Sequence, residues 1–191
     1  AKAIALDLPM TTEKLAAETV RTCAANKLRK GYIRLVVTRG AGTLGLNPYL
    51  CKKASAFIIA ADIRLYPKEL YESGLRIVTV GTLRNAPEAI NPRIKSLNYL
   101  NNVLAKIEAL NAGVMECIML NPQGQVAEAS GDNVFAVRDG VLTTPPVWCG
   151  ALEGVTQQVV FELARERGYE IRRDVMSRYD LYSAEIRRAH I

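Results

Sequence analysis

The sequence predicts an α+β domain in which helices cover a set of short strands, and three kinds of observation predict it. Short β-branched runs end at glycine-rich or Asn/Asp turns, as strands do. In other stretches apolar residues recur three and four apart, as amphipathic helices require. Between two apolar runs stands Asp139-Gly140, a two-residue hairpin signal.

Each element follows from local chemistry. Thr11 or Thr12 caps a helix through Lys27, because Leu15, Ala16, Val20 and Cys23 recur at helical spacing after a hydroxyl residue. The run Tyr32 to Thr38 is β-branched and closed by Arg39-Gly40-Ala41-Gly42, which makes it a strand. Two more strands are expected near Ala56 to Ile63 and Leu75 to Val80. From Ser96 to Ala112, Leu97, Leu100, Val103, Leu104, Ile107 and Leu110 mark a helix that Gly113 ends. Strands at Cys117 to Leu120 and Gln125 to Ala129 flank the turn Asn121-Pro122-Gln123-Gly124. A hairpin joins Asn133–Arg138 to Val141–Thr144. Thr156 to Arg167 is an amphipathic helix stopped by Gly168, after which Tyr169 to Val175 returns as a strand. No repeat, low-complexity tract or linker interrupts this order, so residues 1–191 are expected to form one domain. The chain opens on Ala1 rather than methionine, and its last residues after Glu185 build no evident element; a fragment of a longer protein is the expectation.

Composition narrows the function classes. The 191 residues are 49% hydrophobic and 23% charged, enough to bury a real core. The net charge of +6 is spread along the chain, densest at Arg165 to Arg178 and at Arg187-Arg188. No stripe of Lys and Arg interleaved with aromatics argues for nucleic acid, and a basic surface suits anionic small molecules equally well. The four cysteines form no Cys-x-x-Cys pair and read as reduced thiols of a cytoplasmic protein. With His190 the only histidine, a His-based metal site or a Ser-His triad is close to excluded. No apolar run reaches the roughly 18 residues of a membrane span, and Ala1-Lys2-Ala3-Ile4 does not build a signal peptide.

Three features carry candidate chemistry. Lys95 lies between Asn91-Pro92-Arg93-Ile94 and Ser96-Leu97-Asn98-Tyr99, with no acidic neighbour. A lysine that forms a Schiff base must be partly desolvated to lose its proton, and the plain alternative for Lys95 is a solvated group near a helix end. Glu128-Ala129-Ser130-Gly131-Asp132-Asn133 puts a carboxylate at the end of one strand and an amide at the start of the next. Its plain account is a polar turn with Asn133 bonding its own backbone; its functional account is a carboxylate facing a pyridinium nitrogen. Gly150-Ala151-Leu152-Glu153-Gly154-Val155-Thr156 opens onto a helix, whose free N–H groups and Thr156 hydroxyl suit a phosphate, or simply form an N-cap.

Lys95-Ser96-Leu97-Asn98-Tyr99-Leu100, Glu128 through Phe135, Leu142-Thr143-Thr144-Pro145-Pro146 and Leu152 through Thr156 together resemble the class IV aminotransferases of fold type IV, in order and spacing over about 90 residues. Tyr32-Ile33-Arg34-Leu35-Val36-Val37-Thr38-Arg39-Gly40, with Lys95 to Asn102, is most similar to the branched-chain amino-acid aminotransferases. The resemblance implies the large domain of a pyridoxal 5'-phosphate enzyme and a ping-pong transamination of Leu, Ile and Val with 2-oxoglutarate. It implies that Lys95 is the Schiff-base lysine and proton shuttle, that Glu128 pairs with the pyridine nitrogen, and that Leu152 packs on the ring. Val155 and Thr156 would bind the phosphate, Tyr32, Arg34 and Tyr99 would line the substrate pocket, and Tyr99 would also order the cofactor. It further implies a homodimer or larger homo-oligomer, with small-molecule amino acids and 2-oxo acids as partners.

The sequence also departs from that family. The resemblance further implies a small N-terminal domain that supplies a phosphate-binding arginine and a Gly-Thr-rich strand and loop near the C-terminus; the first is expected to be lacking here and Ile186-Arg187-Arg188-Ala189-His190-Ile191 to replace the second, and Gln157 stands where a basic residue is usual in the family. Three readings therefore remain at the level of sequence: the branched-chain enzyme, a D-amino-acid aminotransferase or aminodeoxychorismate lyase built on the same pattern, and a truncated fold without activity.

Overall fold

A computed structural model describes residues 1–62 and 66–190, the last five through their backbone. The chain separates into two compact units, residues 1–67 and 68–191.

In the first unit, helix α1 (Thr12–Ala25) packs against a two-stranded antiparallel sheet of β1 (Tyr32–Thr38) and β2 (Ser55–Ala61). Thr11 is the N-cap and its hydroxyl accepts from the Lys14 N–H at 3.3 Å. The helix stops short of the expected Lys27, which takes up a left-handed φ of 54°. β1 has the expected bounds. The second strand was expected to reach Ile63, which lies outside the described residues.

The second unit holds α2 (Lys68–Ser73), β3 (Ile77–Thr79), α3 (Leu100–Asn111), β4 (Glu116–Leu120), β5 (Val126–Ala129), β6 (Asn133–Arg138), β7 (Val141–Thr144), α4 (Val155–Glu166), β8 (Glu170–Arg173), α5 (Arg178–Ser183) and β9 (Ile186–His190). Two sheets result, of order β3-β4-β5 and β8-β7-β6-β9. β3 runs parallel to β4, β4 and β5 are antiparallel, and β7 runs parallel to β8.

The period of two along the central strands builds the core. Cys117 and Met119 of β4 pack with Ala105 and Ala109 of α3, whereas Ile118 and Leu120 turn the other way to meet Val126, Val134 and Ala136. Phe135 and Val137 of β6 pack under Phe161 and Ala164 of α4. The Phe135 and Phe161 rings meet edge to face, 6.1 Å between centroids. Strands buried on both faces, each sheet covered by a helix, make the α+β layering that was expected.

The hairpin turn has positive φ at both Asp139 (49°) and Gly140 (75°), as a type I′ turn demands. α3 and α4 end alike. Gly113 and Gly168 are left-handed, and Val114 N–H to Ala109 O and Tyr169 N–H to Ala164 O close the chain back on the last turn.

Several expectations need correction. α3 begins at Leu100 rather than Ser96, because the Ser96 hydroxyl accepts from the Asn98 N–H at 3.3 Å and so offers that backbone a local turn instead of a helix. The apolar residues that signalled this helix do not face the core: Leu100, Val103, Leu104, Ile107 and Leu110 are exposed, and alanines make the buried contact. α5 was missed, although Ser177 and Asp180 form a capping box. β9 was missed as well; residues 186–190 pair antiparallel with β6.

Candidate active site

Lys95 stands on a loop of successive tight turns. Pro92 is buried, Asn91 Oδ1 accepts from the Arg93 N–H at 3.0 Å, and the Ser96 N–H reaches the Ile94 carbonyl at 2.7 Å. The lysine itself is exposed, so the burial expected of its amine is not found.

Below it is a buried carboxylate. β5 carries Glu128 opposite Met119 of β4, and Glu128 is only 6% exposed. One oxygen pairs with Arg84 Nη2 at 2.6 Å and the other accepts from the Leu152 N–H at 2.7 Å. Arg84 is equally buried and all three guanidinium nitrogens are engaged, with Nε donating to the Gly150 carbonyl (3.1 Å) and Nη1 to Asn102 Oδ1 (2.8 Å). Gly150 is required here twice over. Its φ is 103°, and a Cβ would lie 2.9 Å from Arg84 Cγ.

The loop that bears Arg84 is clamped from α3. Glu108 accepts from the Gly81 and Thr82 N–H groups at 2.7 and 2.9 Å and from the Thr82 hydroxyl. Asn101 bonds the backbone on both sides of Arg84, accepting from the Asn85 N–H and donating to the Leu83 carbonyl. Asn133 does not bond its own backbone, as the plain account of the corner required. Its amide donates to the Leu152 carbonyl at 2.8 Å, and a Cβ on Gly154 would lie 2.6 Å from its oxygen, so the segment leading into α4 docks tightly on the corner.

A second pair of carboxyls lies on this corner. Glu116 is 2% exposed; burial works to raise its pKa, but hydrogen bonds from Ser130, Cys117 and Lys106 outweigh burial and leave it lowered. Asp132, hydrogen-bonded to Glu116, is pushed up to about 6 by burial first and by the Glu116 charge second.

Arg84, Lys95, Tyr99, Glu128, Asp132 and Leu152 therefore line one cleft. Four of these, Lys95, Tyr99, Glu128 and Leu152, are residues singled out from sequence. Val155 and Thr156 form the exposed first turn of α4, three and four residues beyond Leu152, and do not line the cleft. Tyr32 and Arg34 belong to the first unit, where Arg34 Nε and Nη2 both donate to the Tyr32 hydroxyl at 3.3 Å. Arg84 and Asn102 were missed. Thr82-Leu83-Arg84-Asn85 has no distinguishing spacing, and Arg84 acquires its role only by meeting a glutamate 44 positions away.

Does this cleft suit a protonated heterocycle? Burial raises Glu128, while Arg84, the Leu152 N–H and Lys95 oppose the rise, and the carboxyl remains above its ordinary range. A further cation beside Glu128 would thus be favourable, which is what a pyridinium nitrogen provides. Among the described residues no three His, Cys, Asp or Glu side chains gather as a metal-ligand group. Nor is any described helix long and apolar enough to cross a membrane.

The family described as amino-transferase class IV matches residues 1–186. A Methanocaldococcus jannaschii relative, provisionally named a branched-chain-amino-acid aminotransferase, is 46% identical over 97% of this chain and 63% of its own length. The structure of the Escherichia coli branched-chain amino acid aminotransferase superposes with a TM-score of 0.93 at 33% identity, covering 96% of this chain and 61% of that one. The T.th. branched-chain amino acid aminotransferase, solved in complex with N-(5'-phosphopyridoxyl)-L-glutamate, superposes with a TM-score of 0.87 at 33% identity, covering 96% of this chain and 59% of that one. The chain thus spans about three-fifths of the length of these relatives, and it belongs to the class IV aminotransferases.

Proposed function

We propose that the chain carries the catalytic part of a pyridoxal 5'-phosphate enzyme that transfers amino groups between branched-chain L-amino acids and 2-oxoglutarate. The observation that carries this reading is the meeting of Lys95, Tyr99 and Leu152 around a buried, partly compensated Glu128 in one cleft. The phosphopyridoxyl-glutamate adduct in the T.th. enzyme supports both the cofactor and the acceptor pair.

When bound, the cofactor supplies an electron sink and a temporary store for the amino group. Glu128 would hold its ring nitrogen in the protonated form, and Leu152, whose N–H fixes Glu128, would pack against the ring. The N–H groups of Val155 and Thr156 at the start of α4, with the Thr156 hydroxyl, are suited to its phosphate. Lys95 would hold the cofactor covalently and, once released, take the proton from Cα of the amino donor and return it. Tyr99 would order the cofactor and line the substrate pocket, and Tyr32 and Arg34 are assigned to the substrate on family resemblance. The proposal extends to a homodimer or larger homo-oligomer in the cytoplasm, a compartment that suits four free cysteines.

The test is amino transfer from L-leucine, L-valine and D-alanine to 2-oxoglutarate by the cofactor-loaded protein and its Lys95→Ala variant. The wild type is expected to use the two branched-chain L-amino acids and the variant none. Wild-type rates in Lys95→Ala, or turnover of D-alanine alone, would overturn the assignment.

A further inference from the structure

We propose that Asn102 is a positioning residue that holds the Arg84 guanidinium against Glu128 and thereby sets the charge state of that carboxylate. The idea rests on the pyridoxal-phosphate reading for its purpose, but not for its geometry.

Asn102 sits in the first turn of α3, seven residues after Lys95, and is half-buried. Its side chain does two things at once. Oδ1 accepts from Arg84 Nη1 at 2.8 Å, and Nδ2 donates to the Ser130 carbonyl at 2.7 Å. Arginine can only donate and a carbonyl can only accept, so the amide has one workable orientation. Aspartate could not make the second bond, and alanine could make neither. The residue therefore joins the helix behind Lys95 to the guanidinium beside Glu128 and to the corner two residues beyond Glu128.

Arg84 needs this restraint. Its Nη2 is the charged partner of Glu128 at 2.6 Å, and a long side chain held only at Nε by Gly150 could swing about that bond. Its backbone is held separately, by Asn101 through Leu83 and Asn85, so altering Asn102 releases the guanidinium without releasing the loop. The other charges around Glu128 are Lys95 above it and Asp132 on the neighbouring corner, with Glu116 of β4 and Lys106 of α3 behind Asp132.

An aspartate at this position would keep the shape, attract Arg84 away from Glu128 and place a second negative charge nearby. Both effects push the Glu128 carboxyl upward. Opposite charges at contact distance shift a carboxyl by about 1–3 pH units, so a rise of about one unit is expected when the pair is weakened rather than removed.

The experiment follows the carboxyl carbon of Glu128 by NMR against pH in cofactor-free protein labelled with 13C-glutamate, the signal being assigned through Glu128→Gln. Asn102→Asp and Asn102→Ala are compared with wild type, and thermal unfolding confirms that each folds. A Glu128 midpoint raised in both variants, by about one unit in Asn102→Asp and in the same direction in Asn102→Ala, supports the proposal. An unchanged midpoint in folded Asn102→Ala, which loses the hold on Arg84 without adding a charge, overturns it. In a parallel arm, pyridoxal phosphate is titrated against each protein: the acid limit of binding should move to higher pH in step with Glu128. Failure of the wild type itself to bind would count against the cofactor reading and leave the NMR result to decide the role of Asn102.

Discussion

Replacing Asp132 with asparagine should stabilise the protein at neutral and alkaline pH, and the gain should vanish in acid. Asp132 is hydrogen-bonded to Glu116, whose oxygens are already held by Lys106 Nζ at 2.9 Å and by the Cys117 and Ser130 N–H groups at 2.8 and 3.0 Å. Glu116 thus stays ionised, and Asp132 is the partner that must carry the shared proton. Its pKa is raised from 3.8 to about 6, so between those values the folded state binds a proton that the unfolded chain does not. The contribution of Asp132 to stability is therefore fully present below about pH 4, falls as pH rises through about 6, and is absent above that. At roughly 1.4 kcal/mol per pH unit over about two units, the loss is at most ~3 kcal/mol, and less in proportion to the solvent that reaches the corner. Asparagine keeps a donor for Glu116 and cannot ionise. At roughly 2–4 °C per kcal/mol for a chain of this size, Asp132→Asn should raise Tm by up to about 10 °C at pH 8 and by almost nothing at pH 4. Thermal unfolding of both proteins at pH 4, 6 and 8 measures this difference directly. A variant less stable than wild type at pH 8, or a difference that does not change with pH, would refute the reasoning.

Two further predictions test the packing that holds the cleft. Gly150→Ala places a Cβ against Arg84 at a φ of 103°, so it should cost on the order of 1–3 kcal/mol of stability and weaken pyridoxal-phosphate binding, measured by urea unfolding and cofactor titration. Phe161→Ala removes a ring that is 3% exposed and meets both Phe135 and the Arg173 guanidinium; denaturant unfolding should show a loss of about 3–5 kcal/mol.

The elements that depend on near neighbours are legible in the amino-acid sequence alone. Tyr32–Thr38, the hairpin at Asp139-Gly140 and the glycine stops of α3 and α4 lie where local sterics and hydrogen bonding place them. The candidate residues Lys95, Tyr99, Glu128 and Leu152 are legible through family resemblance, and the structure brings those four to one cleft. Other features are hidden for a common reason. Which face of α3 is buried cannot be read from its leucines, because burial is decided by what packs on the helix, and there the small Ala105 and Ala109 allow the close approach. β9 has no strand until β6 offers it a ladder of hydrogen bonds. Arg84 carries no motif, and Asn102 enters the sequence reading only as the last residue of the Lys95-to-Asn102 stretch; they matter because the tertiary structure leaves Glu128 buried, and a buried carboxylate must find a cation, which must in turn be held. Local chemistry along the chain determined the strands, turns and helix ends, whereas the charge balance beneath Lys95 was decided only when distant segments were brought together out of water.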